Sequence, residues 1–206
     1  MRKLLKHLSL AMTALMLIAS LTACAKTPTP AEIYEKVEGA GNGKVVMKIK
    51  VGELMTTKSV MKMDGDKAHI VTEVEMMGAV NEEETYEVKK GDKRIVYSKD
   101  KDGNWTKEEK DEEEDEDGVE AFMELFDTDN YEEFDKESRR YVMKKDVELE
   151  IGEMVCSEGY IEVGEDGTYV IYTELEMGGM GAKIEGSLKI TISEIGEISV
   201  KLPKVD

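Results

Sequence analysis

Lys44-Val45-Val46-Met47-Lys48-Ile49-Lys50-Val51 decides the fold. Val45, Met47, Ile49 and Val51 fall on one side of an extended chain, and Lys44, Lys48 and Lys50 fall on the other. That is the period-two alternation of a half-buried antiparallel strand. The alternation returns at 60–63 and 68–77, joined at Asp64-Gly65-Asp66, and again at 85–90 and 94–98 around Lys90-Gly91-Asp92, both hairpin turn signals. Asp102-Gly103-Asn104 then turns the chain into Trp105. The first half predicts a meander of about six strands.

The second half repeats the scheme at 139–145, 147–151, 159–163, 168–177, 182–192 and 198–202, with a turn at Gly164-Glu165-Asp166-Gly167 and a break at Met177-Gly178-Gly179-Met180-Gly181. About eleven strands are predicted in all, with two helical interruptions. The first is Thr29-Pro30-Ala31-Glu32, with Thr29 as N-cap, proline at the first helical position and Glu32 three residues on to close a capping box. Ile33 and Val37 lie one turn apart on its apolar face, and Gly39 and Gly41 end it. In the second, Val119, Phe122, Met123 and Phe126 have the i, i+3, i+4, i+7 spacing of one helical stripe, and Tyr131 and Phe134 add a further apolar pair. This patch either packs on the sheet to finish the core or forms a removable cover over an apolar cavity. The acidic run 108–117 reads as a solvated loop, because like charges packed so closely repel. Asp100 to Asn104 lacks the glycine that a calcium-binding loop needs, since Trp105 stands in its place; no metal is assigned.

Ahead of the strands, Arg2, Lys3 and Lys6 precede an apolar run at 8–21, the layout of a secretory signal. The run is shorter than the roughly 20 residues of a bilayer-spanning helix. It ends at Leu21-Thr22-Ala23-Cys24, which resembles the lipobox of bacterial lipoproteins. That resemblance implies cleavage between Ala23 and Cys24 and a diacylglyceryl group on the Cys24 thiol. Two acyl chains suffice for stable anchoring where one is marginal. The division expected is then a signal peptide at 1–23, a lipidated N-terminus and linker at 24–28, and one domain at 29–206. At about 3.5 Å per residue the linker reaches no more than roughly 15 to 20 Å.

Loss of the leader leaves 183 of 206 residues, enough for one good core. It also takes the net charge from −18 to −21, since the leader holds three basic residues and no acid. A body so acidic is repelled by phosphate backbones and by anionic headgroups, so nucleic acid is a poor partner, and the hold on a membrane falls to the lipid on Cys24. Cys156, between apolar neighbours, reads as a small core residue rather than a reactive thiol. His69 is the one histidine beyond the leader, which leaves no multi-histidine metal site.

No phosphate loop, serine nucleophile elbow or histidine-carboxylate pattern is present, and no carboxylate pair can be singled out from 46 acids. The reading is of a protein that is not an enzyme and needs no cofactor. What stands out is methionine: 11 of the 14 lie beyond the leader, against three phenylalanines. Methionine is flexible and polarizable and suits surfaces that accept ligands of variable shape. Met47, Met61, Met63, Met76, Met143 and Met177 fall in strand segments, where they could line one concave face, with Phe122, Met123 and Phe126 across from them.

The order of parts, from the lipobox and the proline-started helix at 29–37 through a strand meander, a helical insertion at 119–134 and more strands to Ile192-Ser193-Glu194-Ile195-Gly196-Glu197-Ile198-Ser199-Val200-Lys201-Leu202-Pro203, resembles the LolA-like lipoproteins. The branch is that of small Gram-positive lipoproteins akin to LolA and to the mycobacterial lipid-binding lipoproteins. The resemblance implies an antiparallel half-barrel whose concave apolar face is covered by helices and holds acyl chains. It implies a lipoprotein held on the extracytoplasmic face of the cell membrane that binds a lipid, or the acyl part of a lipoprotein. The alternative is an anchored partner or regulator of an envelope enzyme, with the hollow filled by its own side chains.

Overall fold

The computed structural model describes residues 27–91, 93–111, 123–151, 154–179 and 182–205. A helix, α1 (Pro30–Ala40), precedes eleven strands: β1 (Asn42–Val51), β2 (Met55–Asp64), β3 (Lys67–Met76), β4 (Ala79–Lys90), β5 (Lys93–Lys99), β6 (Trp105–Asp111), β7 (Arg140–Val142), β8 (Leu149–Ile151), β9 (Met154–Val163), β10 (Tyr169–Gly179) and β11 (Ala182–Ser193). They form one antiparallel sheet in the order β6-β5-β4-β3-β2-β1-β11-β10-β9-β7, with β8 also paired to β9. The ladder does not close on itself, in keeping with the half-barrel expectation.

The helix forms as its sequence predicts. The Thr29 hydroxyl accepts from the Glu32 N–H at 3.3 Å and the Glu32 carboxylate accepts from the Thr29 N–H at 2.7 Å, so two otherwise orphaned donors are satisfied. Gly41 ends the helix at φ +64°, a conformation open to glycine at little cost.

In β1 the alternation holds. Register pairs Val45 with Ile192 and Met61, and Met47 with Ile190 and Ser59. Directly opposed residues share a face, so the inner face runs Met61, Val45, Ile192, Tyr169, Val163 across five strands. On this face Ile161, Ile171, Leu175, Leu188 and Ile190 are buried together with Ile33 of α1 and with Leu125, Phe126 and Tyr131 from the connection before β7. All of the core lies on this side of the molecule. From Met55 to Asp111 no described residue is buried.

Several expectations are corrected. Residues 198–202 are not a strand. Both edges of β1 are already taken by β2 and β11, so the last segment lies across the end of β1 and β2, held by Asn42 Nδ2 on the Ile198 carbonyl at 3.3 Å and by the Val200 N–H on Asp64 Oδ2 at 3.0 Å. Strands β2, β4 and β9 begin at Met55, Ala79 and Met154, five or six residues earlier than the alternation suggests. The added residues, such as Thr56-Thr57-Lys58 and Glu82-Glu83-Glu84, are polar on both faces and carry no apolar period. In β9 a bulge at Glu158 (φ +48°) shifts register opposite Thr173, and Gly159 beside it is obligatory, since a Cβ there would lie 2.6 Å from the Tyr172 carbonyl oxygen.

The acidic run is partly strand: 108–111 belong to β6, where Glu109 pairs with Lys93, and 112–117 lie outside the described residues. Of the helical patch, Val119 and Phe122 also lie outside them. Residues 123–126 make a helical turn closed by the Phe126 N–H on the Met123 carbonyl at 2.9 Å, and Thr128–Asn130 adds a 3-10 turn. Tyr131 and Phe134 are not helical; Tyr131 bridges to Met143.

Candidate functional site

An apolar hollow of about 310 Å³ lies where α1 crosses the inner face. Tyr34 and Val37 of α1 form its roof, Phe126 one wall, and Val45 and Met47 of β1, Ser59, Met61 and Met63 of β2, and Ile190 and Ile192 of β11 its floor. Two features of the sequence make it. The helix buries Pro30 and Ile33 fully, with Ile33 in the deep core, which leaves Tyr34 and Val37 over β1. On the β2 side the floor is built from the unbranched Met61 and Met63 and short Ser59, beside Val45, Ile190 and Ile192 of β1 and β11. The Ser59 hydroxyl is within 2.6 Å of Thr72 Oγ1 on the neighbouring strand, so the one hydroxyl in the floor is satisfied within the sheet. No charged side chain lines the hollow.

Tyr34 and Phe126 meet with ring centroids 5.6 Å apart, tilted by 53°. They separate the hollow from an outer groove of about 370 Å³ lined by Ala31, Tyr34, Glu35, Glu38, Met123, Phe126 and Asp127. Such an arrangement can take up an apolar chain of modest length; its volume is at the lower end of the roughly 300–1,000 Å³ usual for ligand sites.

The structure brings together Met47, Met61, Met63 and Phe126 of the residues singled out from the sequence. Met123 stands outside the Tyr34–Phe126 pair, in the outer groove. Met143 is packed in the solid core, 4% exposed, bridged to Tyr131. Met177 sits near the far end of β10, opposite Ile184 and Met154, and Met76 is at the tip of β3, opposite Met55 and Ala79. None of these three lines the hollow: Met143 is packed into the core beside β9, and Met76 and Met177 lie toward the far end of the sheet. Phe122, Ala23 and Cys24 lie outside the described residues. Tyr34, Val37, Val45, Ser59, Ile190 and Ile192 also line it and are not among the residues expected from the sequence. The signal for Val45 was its place in the same alternating row as Met47, and for Val37 its place on the apolar stripe of the helix.

Cys156 is fully buried, and burial pushes its thiol up to about 11. It is a protonated core side chain at neutral pH, facing Leu149 and Leu175. Tyr131 is held well above the usual tyrosine range by burial, and its hydroxyl donates to the Leu125 carbonyl at 2.7 Å, which pins the segment carrying Phe126. Asp100, at the rejected calcium loop, accepts from the N–H groups of Asp102 and Asn104 at 2.9 and 2.8 Å, and those bonds hold its carboxyl below the usual range. Among the described residues no group of three or more histidine, cysteine or acidic side chains is placed to hold a metal ion, and no helix is long and apolar enough to cross a membrane. Comparison with protein families, with curated proteins and with solved structures finds no match to this chain.

Proposed function

We propose that this chain is a membrane-tethered lipoprotein of the cell envelope that binds a lipid or a single acyl chain in the hollow beneath α1. One observation carries the reading: the space bounded by Tyr34, Val37, Met47, Met61, Met63 and Phe126 is apolar, about 310 Å³, and free of charged lining. An acyl chain needs no directional bond, since each methylene moved out of water contributes about 0.8 kcal/mol. In this reading α1 and the 123–126 turn are the cover expected of a LolA-like half-barrel, and Cys24 carries the anchoring acyl groups on the extracytoplasmic face. The order of parts and the lipobox residues support both.

The experiment is to purify the protein from its native host, extract it with organic solvent and analyse the extract by mass spectrometry, with fluorescent fatty acids titrated into the extracted protein. Bound lipid and a saturable response are expected. A lipid-free protein with no response overturns the reading. The alternative, an anchored partner of an envelope enzyme, draws on the modest size of the hollow, and a stoichiometric envelope protein co-purifying with a lipid-free chain favours it.

A further inference from the structure

Two neighbouring hairpin turns at one end of the sheet expose large apolar side chains. Leu54, in the turn between β1 and β2, is 54% exposed; Met76, Met77 and Val80, in and beside the turn between β3 and β4, are 56%, 83% and 62% exposed. The Met77 N–H donates to the Leu54 carbonyl at 3.2 Å, so the two turns form one tip. Met76 pairs with Ala79, which makes Met77-Gly78 a two-residue turn with both central residues at positive φ, +52° and +82°. Asparagine-glycine is the favoured pair for this geometry, because asparagine adopts the left-handed conformation readily and methionine does not. The sheet therefore places its most exposed large apolar side chain where the backbone disfavours it. A local rule broken with no packing return marks a functional position.

The tip lies at the end of the sheet toward which the N-terminus of α1 points. The Lys36 ammonium donates to the Tyr169 hydroxyl at 3.1 Å, and Tyr169 stands level with Ile192 and Val45 near the start of β1. At the other end of α1, the Ala31 N–H reaches Thr128 Oγ1 at 3.4 Å. The segment after Thr128 joins the sheet through Tyr131, opposite Met143, whose N–H donates to the Gly159 carbonyl. Gly159 packs on Tyr172 and Thr173, and Thr173 is level with Leu188 and Ile49. Traced backward, α1 thus runs from the Val45 level toward the Ile49 level, so its first turn points toward the end that carries Leu54 and Met77. Pro30 stands six positions beyond Cys24 in the sequence, a reach of at most roughly 20 Å.

The geometry points to a lipid bilayer as the occupant of this tip: Leu54, Met76, Met77 and Val80 dip into the membrane interface and orient the tethered domain. This rests on the tethered reading above. A convex tip two turns wide needs no matching pocket and enters a fluid interface as it is. It is too small to bind a bilayer unaided, but an anchored chain supplies the local concentration that a weak second contact requires. Glu53, Glu75 and Glu82 flank the tip, so contact is with zwitterionic lipid in preference to anionic lipid.

The test reads the native methionines. The full chain carrying Lys90→Met, which sets a reporter in the exposed β4–β5 turn at the opposite end, is held on phosphatidylcholine vesicles. Where Cys24 carries its acyl groups these anchor it; where it does not, the free Cys24 thiol is coupled to a maleimide lipid, Cys156 being buried. Peroxide oxidation at each methionine is followed by mass spectrometry. Expected is a several-fold slower oxidation of Met77 than of the residue-90 reporter, less protection on phosphatidylglycerol vesicles, and loss of Met76 protection in Met77→Asn. Equal oxidation of Met77 and the reporter overturns the proposal, as does protection of Met77 in native membranes but not on protein-free vesicles, which identifies a protein as the occupant. The mass of the peptide bearing Cys24 decides the tether separately, so failure of the anchor and failure of the tip are told apart.

Discussion

One continuous ladder runs through two unlike regions. The strands β1, β11, β10 and β9 have a core on one face, where Ile161, Ile171 and Ile190 are at most 1% exposed. The strands β2 to β6 are at most half-buried and hold no buried residue among those described. The backbone pairing is equally regular in both: β2–β3 and β3–β4 each pair over ten residues without a shift, whereas the core side holds the bulge at Glu158. Register here does not need a core. Where the core is missing, cross-strand side chains take over: His69 stacks on Tyr86 with centroids 4.3 Å apart, Tyr86 meets Trp105 edge-on at 5.2 Å, and Lys99 lies over Trp105 at 5.0 Å. Pairs of this kind contribute roughly 0.2–1 kcal/mol each. The exposed edge strand β6 is studded with Lys107, Lys110, Glu108 and Glu109, which discourages pairing with another chain. The hollow lies at the seam, with β1 and β11 under one side and β2 under the other.

The largest test of this contrast is a matched pair of truncations. Ile171→Ala on the core side is expected to cost about 3 kcal/mol, in the 2–5 kcal/mol range of buried isoleucine truncations. Ile95→Ala, half-buried in β5, is expected to cost under about 1 kcal/mol. Denaturant unfolding measures both, and equal losses would mean that the outer wing is covered in solution. Hydrogen exchange sharpens the result: amides of β10 and β11 exchange near the global limit, those of β4 to β6 through smaller local openings.

At the seam, Met61→Trp fills the hollow from the β2 side. The expected outcome is at least a tenfold loss of affinity for a fluorescent fatty acid, about 1.4 kcal/mol, with overall stability changed by less than about 1.5 kcal/mol. Unchanged fatty-acid binding places the ligand elsewhere.

A smaller effect is due in the wing. Glu84 accepts from Lys99 Nζ at 2.7 Å, is within 3.0 Å of His69 Nε2 and accepts from the Tyr86 hydroxyl at 3.3 Å. The Lys99 bond above all holds its carboxyl below the usual 4.5, against an opposing push from burial and with a lesser contribution from the His69 contact. A lowered carboxylate stabilises fully above its unfolded value and loses that contribution as pH falls through the folded one. The wing is therefore expected to loosen below about pH 4.5 ahead of the core, read as earlier acid broadening of Trp105 fluorescence. Glu84→Gln should remove that step at a cost within about 1 kcal/mol, as befits a solvent-screened site. Simultaneous acid loss in both regions would show them to be one cooperative unit.

Much of this division was beyond the reach of the sequence. The alternation at 44–51, the capping box at Thr29 and the turns at Gly65 and Gly167 are local and were legible. Whether an alternating strand is buried depends on what lies over it, and β3 alternates over much of its length, as β1 does, without burying a residue. The methionines illustrate this: Met47, Met61 and Met63 reach the hollow because α1 passes above them, and Met76, six register positions from Ile70 along β3, does not. Residues 198–202 look like a strand because Ile198, Val200 and Leu202 alternate, yet only the completed strand order shows that no edge of β1 or β11 remains for them.

The smallest expected effect lies in the tip that closes the wing. Met77 at φ +52° bears the cost of a left-handed conformation while keeping its side chain in water. Met77→Asn retains the turn, relieves that conformation and gives up almost no burial, so it should stabilise the chain by a few tenths of a kcal/mol. The same change on the core side has the opposite sign. At Met143, buried against Tyr131 and Gly159, an asparagine loses the side chain's packing and buries an amide, with an expected loss of about 3 kcal/mol. Side-by-side denaturation of the two variants gives the contrast in its simplest form. If Met77→Asn destabilises instead, the methionine is packed against something in the free protein, and the tip is then an internal contact rather than a surface held open for a bilayer.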